Sequence, residues 1–330
     1  MAVLELRKLA VTYQGAYGPV PAVRGVDLTL RAGESLGLAG ESGCGKSTMA
    51  GAVLRLLPRT AKVDGQVLLD GEDVLGMSWR RLRAVRWSEA SIVFQGALHA
   101  LNPVHRIDDQ VAEPILLHEQ TSRAEARQRA GELLEQVQMP AWQARRYPHE
   151  LSGGQRQRAL IAMALACSPR LVIADEPTTA LDVITQAQVL GLLQQLVAEQ
   201  GIAMLLISHD LSVLASTCQR LAVMYAGKVV EEGPARDVRS DPRHPYSEAL
   251  AAAFPTVGDS RWRRNPGGLG GDPPDPARLP GGCPFHPRCP VATDECPDLD
   301  VQLWPAGPNR AAACIHTRAC GLGNRLVVSH

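Results

Sequence analysis

The run Gly40-Glu41-Ser42-Gly43-Cys44-Gly45-Lys46-Ser47-Thr48 constrains this chain more than any other segment. It satisfies G-x-x-x-x-G-K-[ST], follows a strand-like apolar stretch from Ser35 to Ala39, and precedes a helix-like stretch from Thr48 to Leu57 that stops at Pro58. Glycines in such a loop let the backbone turn until successive N–H groups converge on phosphate oxygens, and the helix N-terminus adds its partial positive charge there. Lys46 is placed to reach the β- and γ-phosphates of a nucleotide, and the Ser47 hydroxyl to ligate Mg²⁺. A Gly-rich turn that binds nothing has no need of the strand before it and the helix after it.

The rest of the chain agrees with an α/β fold. From Val3 to Ile207, short β-rich runs alternate with helical patterns, which predicts strands joined by crossover helices and hence parallel pairing. The runs Val3 to Val11 and Val67-Leu68-Leu69-Asp70-Gly71 read as a flanking antiparallel sheet, the second with an Asp-Gly turn, so the domain is mixed. Between Gln95 and Glu150 the strand signals vanish. Ser122-Arg123-Ala124-Glu125 has the capping-box form, and Ala126, Ala130, Leu133, Leu134 and Val137 follow at helical spacing until Met139-Pro140, which predicts a helical insertion. After Leu221 to Tyr225 and a turn at Gly227, the stretch from Pro255 to Gly282 carries Gly-Gly, Pro-Pro and Pro-Gly pairs that oppose regular structure. The expected organisation is a nucleotide-binding domain over 1–255 with a helical subdomain at about 96–165, a linker over 256–282, and a separate Cys-rich extension over 283–330.

Composition narrows the partners. The chain has 330 residues, 45% of them apolar, which is ample for a buried core. Its 34 Lys plus Arg balance 34 Asp plus Glu, so no bulk positive field invites nucleic acid. Apolar stretches such as Ile202 to Ile207 fall far short of the ~20 residues that span a bilayer. The N-terminal MAVLELRKLA interrupts any apolar core with Glu5, Arg7 and Lys8, so export is not expected and the eight cysteines read as thiols or metal ligands.

A phosphate loop alone does not name a reaction, because many folds and chemistries use one. Three further segments do more. Leu171-Val172-Ile173-Ala174-Asp175-Glu176 reads as a buried strand that delivers Asp175 to Mg²⁺ and sets Glu176 beside an attacking water. Leu151-Ser152-Gly153-Gly154-Gln155 opens a helix running to about Cys167, with Ser152 as N-cap and two glycines leaving the first N–H groups open to an anion. His209 follows the strand-like Ile202 to Ile207 directly. Taken with the phosphate loop, these segments resemble the nucleotide-binding subunit of ATP-binding cassette transporters over about Val3 to Pro255.

The resemblance implies a mechanism that one chain cannot complete. In that family two such domains pair head to tail and hold two ATP molecules, each between one phosphate loop and the other subunit's Ser-Gly-Gly-Gln segment. By matching positions, Tyr13 would stack on adenine, Gln95 would sense the γ-phosphate and Mg²⁺, Asp182 would cross the dimer seam and His209 would hold the γ-phosphate. Ser152, Gly153, Gly154 and Gln155 would face the partner's nucleotide. The chain would lie peripherally on the cytoplasmic face of a membrane. A soluble cassette ATPase acting on nucleic acid is the competing reading, and it usually carries two cassettes or a long coiled coil, neither of which is evident here.

The C-terminal region narrows the resemblance further. His244-Pro245-Tyr246-Ser247, Gly282-Cys283-Pro284-Phe285-His286-Pro287-Arg288-Cys289-Pro290 and Ala100-Leu101-Asn102-Pro103 look like the ATPase subunits of oligopeptide, dipeptide and nickel importers. That branch implies a second ATPase subunit, two permeases and a solute-binding protein. Thr179, Cys44 and Gly96 depart from its commonest pattern, which leaves the cargo open between peptides, nickel and other solutes. Cys44 stands near a helix N-terminus, a setting that lowers a thiol's pKa and confers reactivity, although a packing role is the plainer reading.

Cys283, Cys289, Cys296 and Cys314 are separated by five, six and seventeen residues, matching neither zinc-ribbon nor ferredoxin spacing. Four thiols in a Pro-rich segment poor in apolar residues still suit a metal centre that offsets a missing core. The resemblance favours a [4Fe–4S] cluster on these four cysteines. Zinc, with His286 or His316 replacing one thiol, is the alternative, and unligated thiols are the third.

Overall fold

The computed structural model describes residues 1–94, 100–179, 181–253, 269–300 and 302–319, and the chain divides into two compact units. One unit comprises Met1–Glu5, Thr29–Ser35 and Leu68–Ile207; the other takes the described residues of Leu6–Leu28, Leu36–Val67 and Ser208–His330.

The unit carrying the phosphate loop is built on the strand Ser35–Ala39, all five residues of which are buried. It pairs in parallel with Arg220–Tyr225, from Leu36 opposite Arg220 to Ala39 opposite Val223. An uninterrupted apolar run suits a strand covered on both faces, and Leu221, Ala222, Val223 and Met224 are fully buried. Ala226 and Gly227 both take positive φ, 46° and 82°, which makes the tight hairpin back into Lys228–Pro234. That antiparallel strand then accepts Arg310–Ala312, and Arg310–Ala312 pairs with Trp304–Gly307. The C-terminal hairpin is therefore an extension of this sheet. Parallel and antiparallel pairing coexist, as the mixed reading requires.

In the other unit the strands Ala90–Val93, Leu171–Asp175 and Ala203–Ser208 run parallel. Helices Ile107–His118, Arg123–Gln136 and Gly153–Leu165 pack on one another within the expected helical insertion. Ser122 caps the second of them by accepting the Glu125 N–H at 3.2 Å while Glu125 accepts the Ser122 N–H at 2.9 Å. Ala126, Ala130 and Leu134 are fully buried, so the spacing read from sequence is the packed face. The flanking sheet has the strand order Gly18–Arg31, Ala2–Gly15, Lys62–Leu69, Glu72–Asp73, most of its first three strands belonging to the unit that carries the phosphate loop. Asp70 and Gly71 turn its last hairpin with φ of 48° and 87°.

Two helix ends differ from expectation. The helix after the phosphate loop is Lys46–Val53, four residues short of Leu57. Arg55 adopts φ 49° and the Leu56 N–H bonds back to the Gly51 carbonyl at 2.8 Å, so a left-handed terminator closes the helix before Pro58 has any effect. The helix opened by Ser152 ends at Leu165, short of Cys167. Among the described residues no helix is long and apolar enough to cross a membrane.

Candidate active site

The phosphate loop leaves its strand through Gly40, φ 153°, and enters its helix through Gly45, φ 106°. A Cβ on Gly40 would stand 2.3 Å from the Met224 carbonyl oxygen, and one on Gly45 2.2 Å from that of Ala22. Both positions thus demand glycine for space as well as for conformation. Lys46, the first helical residue, is buried, and its ammonium donates to the carbonyls of Gly40 at 2.7 Å and Glu41 at 2.8 Å. The side chain is folded over its own loop, holding a cation where the loop curls. Ser47 and Thr48 follow on the first helical turn, and Tyr13 Oη donates to Thr48 Oγ1 at 3.2 Å. Tyr13 is accordingly fixed at the start of that helix.

Cys44 does not behave as its place near a helix start suggested. It is buried, and desolvation pushes its thiol up in spite of the neighbouring Lys46 ammonium. The helix dipole acts through an exposed or polar setting, and here burial outweighs it, so Cys44 is a packing residue.

Sequence reading missed what surrounds Glu41, the loop residue after Gly40. Its N–H donates to Tyr246 Oη at 2.9 Å, and its carboxylate accepts a two-pronged contact from Arg288 at 2.8 and 3.0 Å. Tyr246 and Arg288 stand in the two C-terminal runs that carried the importer resemblance. Nothing local in the sequence marks them as neighbours of the loop.

In the other unit the fully buried strand Leu171–Asp175 ends at Asp175, itself 6% exposed. Glu176 follows with φ 47°, an uncommon conformation for a residue with a Cβ. Its N–H donates to the Ile207 carbonyl at 3.0 Å and its carboxylate accepts Thr179 Oγ1 at 2.9 Å. Ser152 caps the helix Gly153–Leu165 by accepting the Gln155 N–H at 3.3 Å, and the Gln155 side chain returns the bond at 2.9 Å. Ser152 and Gly153 are exposed, whereas Gly154 is packed so closely that a Cβ there would meet Thr185 Cγ2 at 2.3 Å. Asp182 caps Val183–Gln200, accepting Thr185 Oγ1 at 2.7 Å and the N–H groups of Ile184 and Thr185. The Thr185 hydroxyl foremost, with those N–H groups, holds the Asp182 carboxyl below its usual range.

His209 is exposed, directly after the strand Ala203–Ser208 in the turn that leads to the helix Leu211–Thr217. Asp210 caps that helix through the N–H of Ser212 at 2.8 Å. Gln95 lies outside the described residues.

The four C-terminal cysteines come together. Cys283, Cys289, Cys296 and Cys314 line one cavity of about 20 Å³ with Phe285, His286 and His316. Backbone N–H groups point at the sulfurs: Thr293 at Cys296, 3.4 Å, Val291 at Cys289, and His316 and Thr317 at Cys314. Burial pushes the Cys289 thiol up to about 11. Among the described residues, no three His, Cys, Asp or Glu side chains stand in metal-binding arrangement.

Comparison with known proteins places the chain. The family model for ABC transporters matches residues 23–179, and that for the oligopeptide/dipeptide transporter C-terminal region matches residues 230–296. The oligopeptide transport ATP-binding protein OppD of Salmonella typhimurium is 45% identical over 313 residues, covering 94% of this chain and 92% of that protein. OppD of Escherichia coli K12 is 43% identical over 318 residues, covering 95% and 93%. Among solved structures, the dimeric bacterial ABC transporter cassette MJ0796 has a TM-score of 0.64 at 31% identity, covering 71% of this chain and 99% of that one. The likeness runs through both the loop-bearing cassette and the Cys-rich tail, and the chain belongs to the ATP-binding proteins of the ABC transporters, in the oligopeptide/dipeptide branch.

Proposed function

We propose that this chain is the ATP-hydrolysing motor subunit of a multi-subunit importer of peptides. The observation that carries the reading is the phosphate loop, with Gly40 and Gly45 where a Cβ would clash and a buried Lys46 ammonium held inside the curl. Lys46 and the loop N–H groups would bind the β- and γ-phosphates, Ser47, Gln95 and Asp175 would hold Mg²⁺, and Tyr13 would stack on adenine. Asp175 suits the metal because it is a carboxylate fixed at the end of a rigid, buried strand. Bound Mg²⁺ supplies charge neutralisation at the transferring phosphate. Glu176 would accept the proton of the attacking water, with His209 against the γ-phosphate. Glu176 follows the strand end at φ 47°, and Thr179 Oγ1 donates to its carboxylate at 2.9 Å.

A second ATPase subunit would complete each site. Ser152, Gly153 and Asp182 are exposed, and Val183 and Ile184 beside them are 82% and 72% exposed, an apolar edge suited to burial against a partner. Two permeases and an extracytoplasmic solute-binding protein would complete the assembly, with this chain lying peripherally on the cytoplasmic face of the membrane. A groove lined by Trp79, Arg80, Arg83, Arg86, Trp87 and Leu117 offers a permease segment both apolar and basic contacts. The names of the relatives favour peptides over nickel. In the reconstituted importer, E176Q should bind ATP and close with its partner yet lose turnover, and undiminished hydrolysis by that variant would remove Glu176 from this role.

The four cysteines are proposed to hold a [4Fe–4S] cluster that braces the extension. What supports the reading is that the four cysteines line one cavity and backbone N–H groups are aimed at their sulfurs. Among the described residues the side chains do not stand in metal-binding arrangement, so ligation would require them to draw together. A single zinc ion, with His286 or His316 replacing one thiol, is the second reading, both histidines lining the same cavity. Anaerobically purified protein should be brown and lose its colour in C289S; colourless protein with one equivalent of zinc would replace the cluster by the ion.

A further inference from the structure

Glu41 places a carboxylate in a loop that must receive a polyphosphate, and that carboxylate repels the ligand that the loop attracts. The C-terminal region answers this at two points. Arg288 grips the carboxylate with both guanidinium nitrogens, at 2.8 and 3.0 Å, and the pair is sheltered, Arg288 being 7% and Glu41 20% exposed at the side chain. Such charge-assisted forks are among the stronger polar contacts, and shelter limits their screening by salt. Tyr246 takes the Glu41 N–H at 2.9 Å, which ties down the backbone as well.

Both groups are themselves fixed. Arg288 donates through Nε to the Gly270 carbonyl at 2.9 Å and through Nη1 to Tyr225 Oη at 3.3 Å. Tyr225, Tyr246 and Phe285 form a three-ring cluster with centroids 4.5, 5.3 and 5.4 Å apart. Phe285 lies in the turn from Cys283 to Cys289, and its carbonyl accepts the Arg288 N–H at 2.9 Å. Pro273, Pro274 and Leu279 wall the far side of a cavity of about 330 Å³ whose near side is Ser42 and Gly43 of the loop. The cysteine-bearing turn is thus mechanically joined to the phosphate loop.

We propose that Arg288 is a positioning residue for the phosphate loop: by neutralising Glu41 and holding it in place, the Cys-rich extension sets the affinity of this subunit for nucleotide. The proposal rests on the reading that this loop binds nucleotide phosphate. It gives the extension a role in the ATP cycle that does not depend on which metal, if any, the cysteines hold.

The test is titration of the full-length protein with a fluorescent ATP analogue and Mg²⁺, alongside thermal melting without nucleotide. R288M should bind roughly tenfold more weakly, a loss of about 1.4 kcal/mol. R288K keeps the charge without the fork and should lose about threefold. Adding E41Q to R288M removes the carboxylate that Arg288 no longer neutralises and should recover most of the affinity, titrated well below the melting transition of both variants. That charge-specific rescue is a result that mere loss of packing cannot give. Wild-type affinity in R288M, or no recovery in the double variant, overturns the proposal. Should R288M fail to fold, R288K decides, and wild-type affinity there overturns it equally. Wild-type protein that binds no nucleotide would sink the ATPase reading itself, an outcome distinct from normal wild-type binding with an indifferent R288M.

Discussion

His244 gives this protein a specific acid lability. The ring is 2% exposed, its Nδ1 accepts the Tyr246 N–H at 3.0 Å, and its backbone N–H donates to Glu231 at 2.9 Å. Burial pushes its pKa from the ordinary 6.5 down to about 4, a bond to the Ala313 backbone opposing only in part. Between those two values the unfolded chain binds a proton that the folded chain refuses. Unfolding is therefore favoured as the pH falls through the window, and the loss is complete below the folded value. The shift amounts to about 3 kcal/mol over the whole window and about 2 kcal/mol between pH 7 and pH 5. H244N keeps an acceptor for the Tyr246 N–H but does not titrate. It should be less stable at pH 7 by about 1–3 kcal/mol, yet show a shallower decline toward pH 5. Urea unfolding followed by circular dichroism at pH 7, 6 and 5 measures both slopes. Other acid-sensitive groups act alike in the two proteins, so the difference isolates His244. Parallel declines in wild type and H244N would refute the reasoning.

Three further outcomes follow from the same geometry. G45A adds a Cβ at positive φ against the Ala22 carbonyl, a strain of roughly 2–4 kcal/mol, and should abolish binding of a fluorescent ATP analogue. R310M removes the guanidinium 3.1 Å from Glu231, a carboxylate with 0% exposure, and should cost about 3–5 kcal/mol in urea unfolding. Cys44, buried and with its thiol raised, should resist iodoacetamide in the native protein at pH 7.5 and react after denaturation, as read by mass spectrometry of the loop peptide.

What the sequence disclosed was local. Ser35–Ala39 as a buried strand, the Asp70-Gly71 turn and the Ser122/Glu125 cap each follow from interactions among residues a few positions apart, and each stands in the structure as read. The end of the helix Lys46–Val53 escaped because its stop is Arg55, a residue with no intrinsic taste for positive φ. The strand Gly18–Arg31 escaped because Pro19 and Pro21 argue against a strand until a neighbouring strand claims it. The hairpin from Trp304 to Ala312 is too short to announce itself. Cys44 reads from sequence as a packing residue that a helix start could activate, and the fold decides for packing, because burial raises the thiol against the neighbouring Lys46 ammonium.

The loop therefore has two layers of determination. Its shape is written into Gly40 to Ser47, because glycine spacing and a following helix suffice to turn the backbone and gather N–H groups. Its charge balance is not. Glu41 meets Tyr246 across 205 positions and Arg288 across 247, contacts that exist only once the Cys-rich segment has folded against the loop. A motif can specify that a polyphosphate will bind; on the reading proposed above, how tightly it binds is set also by residues that the motif does not contain. Nucleotide affinity can consequently be tuned from the C-terminal extension while the residues assigned to hydrolysis stay unchanged.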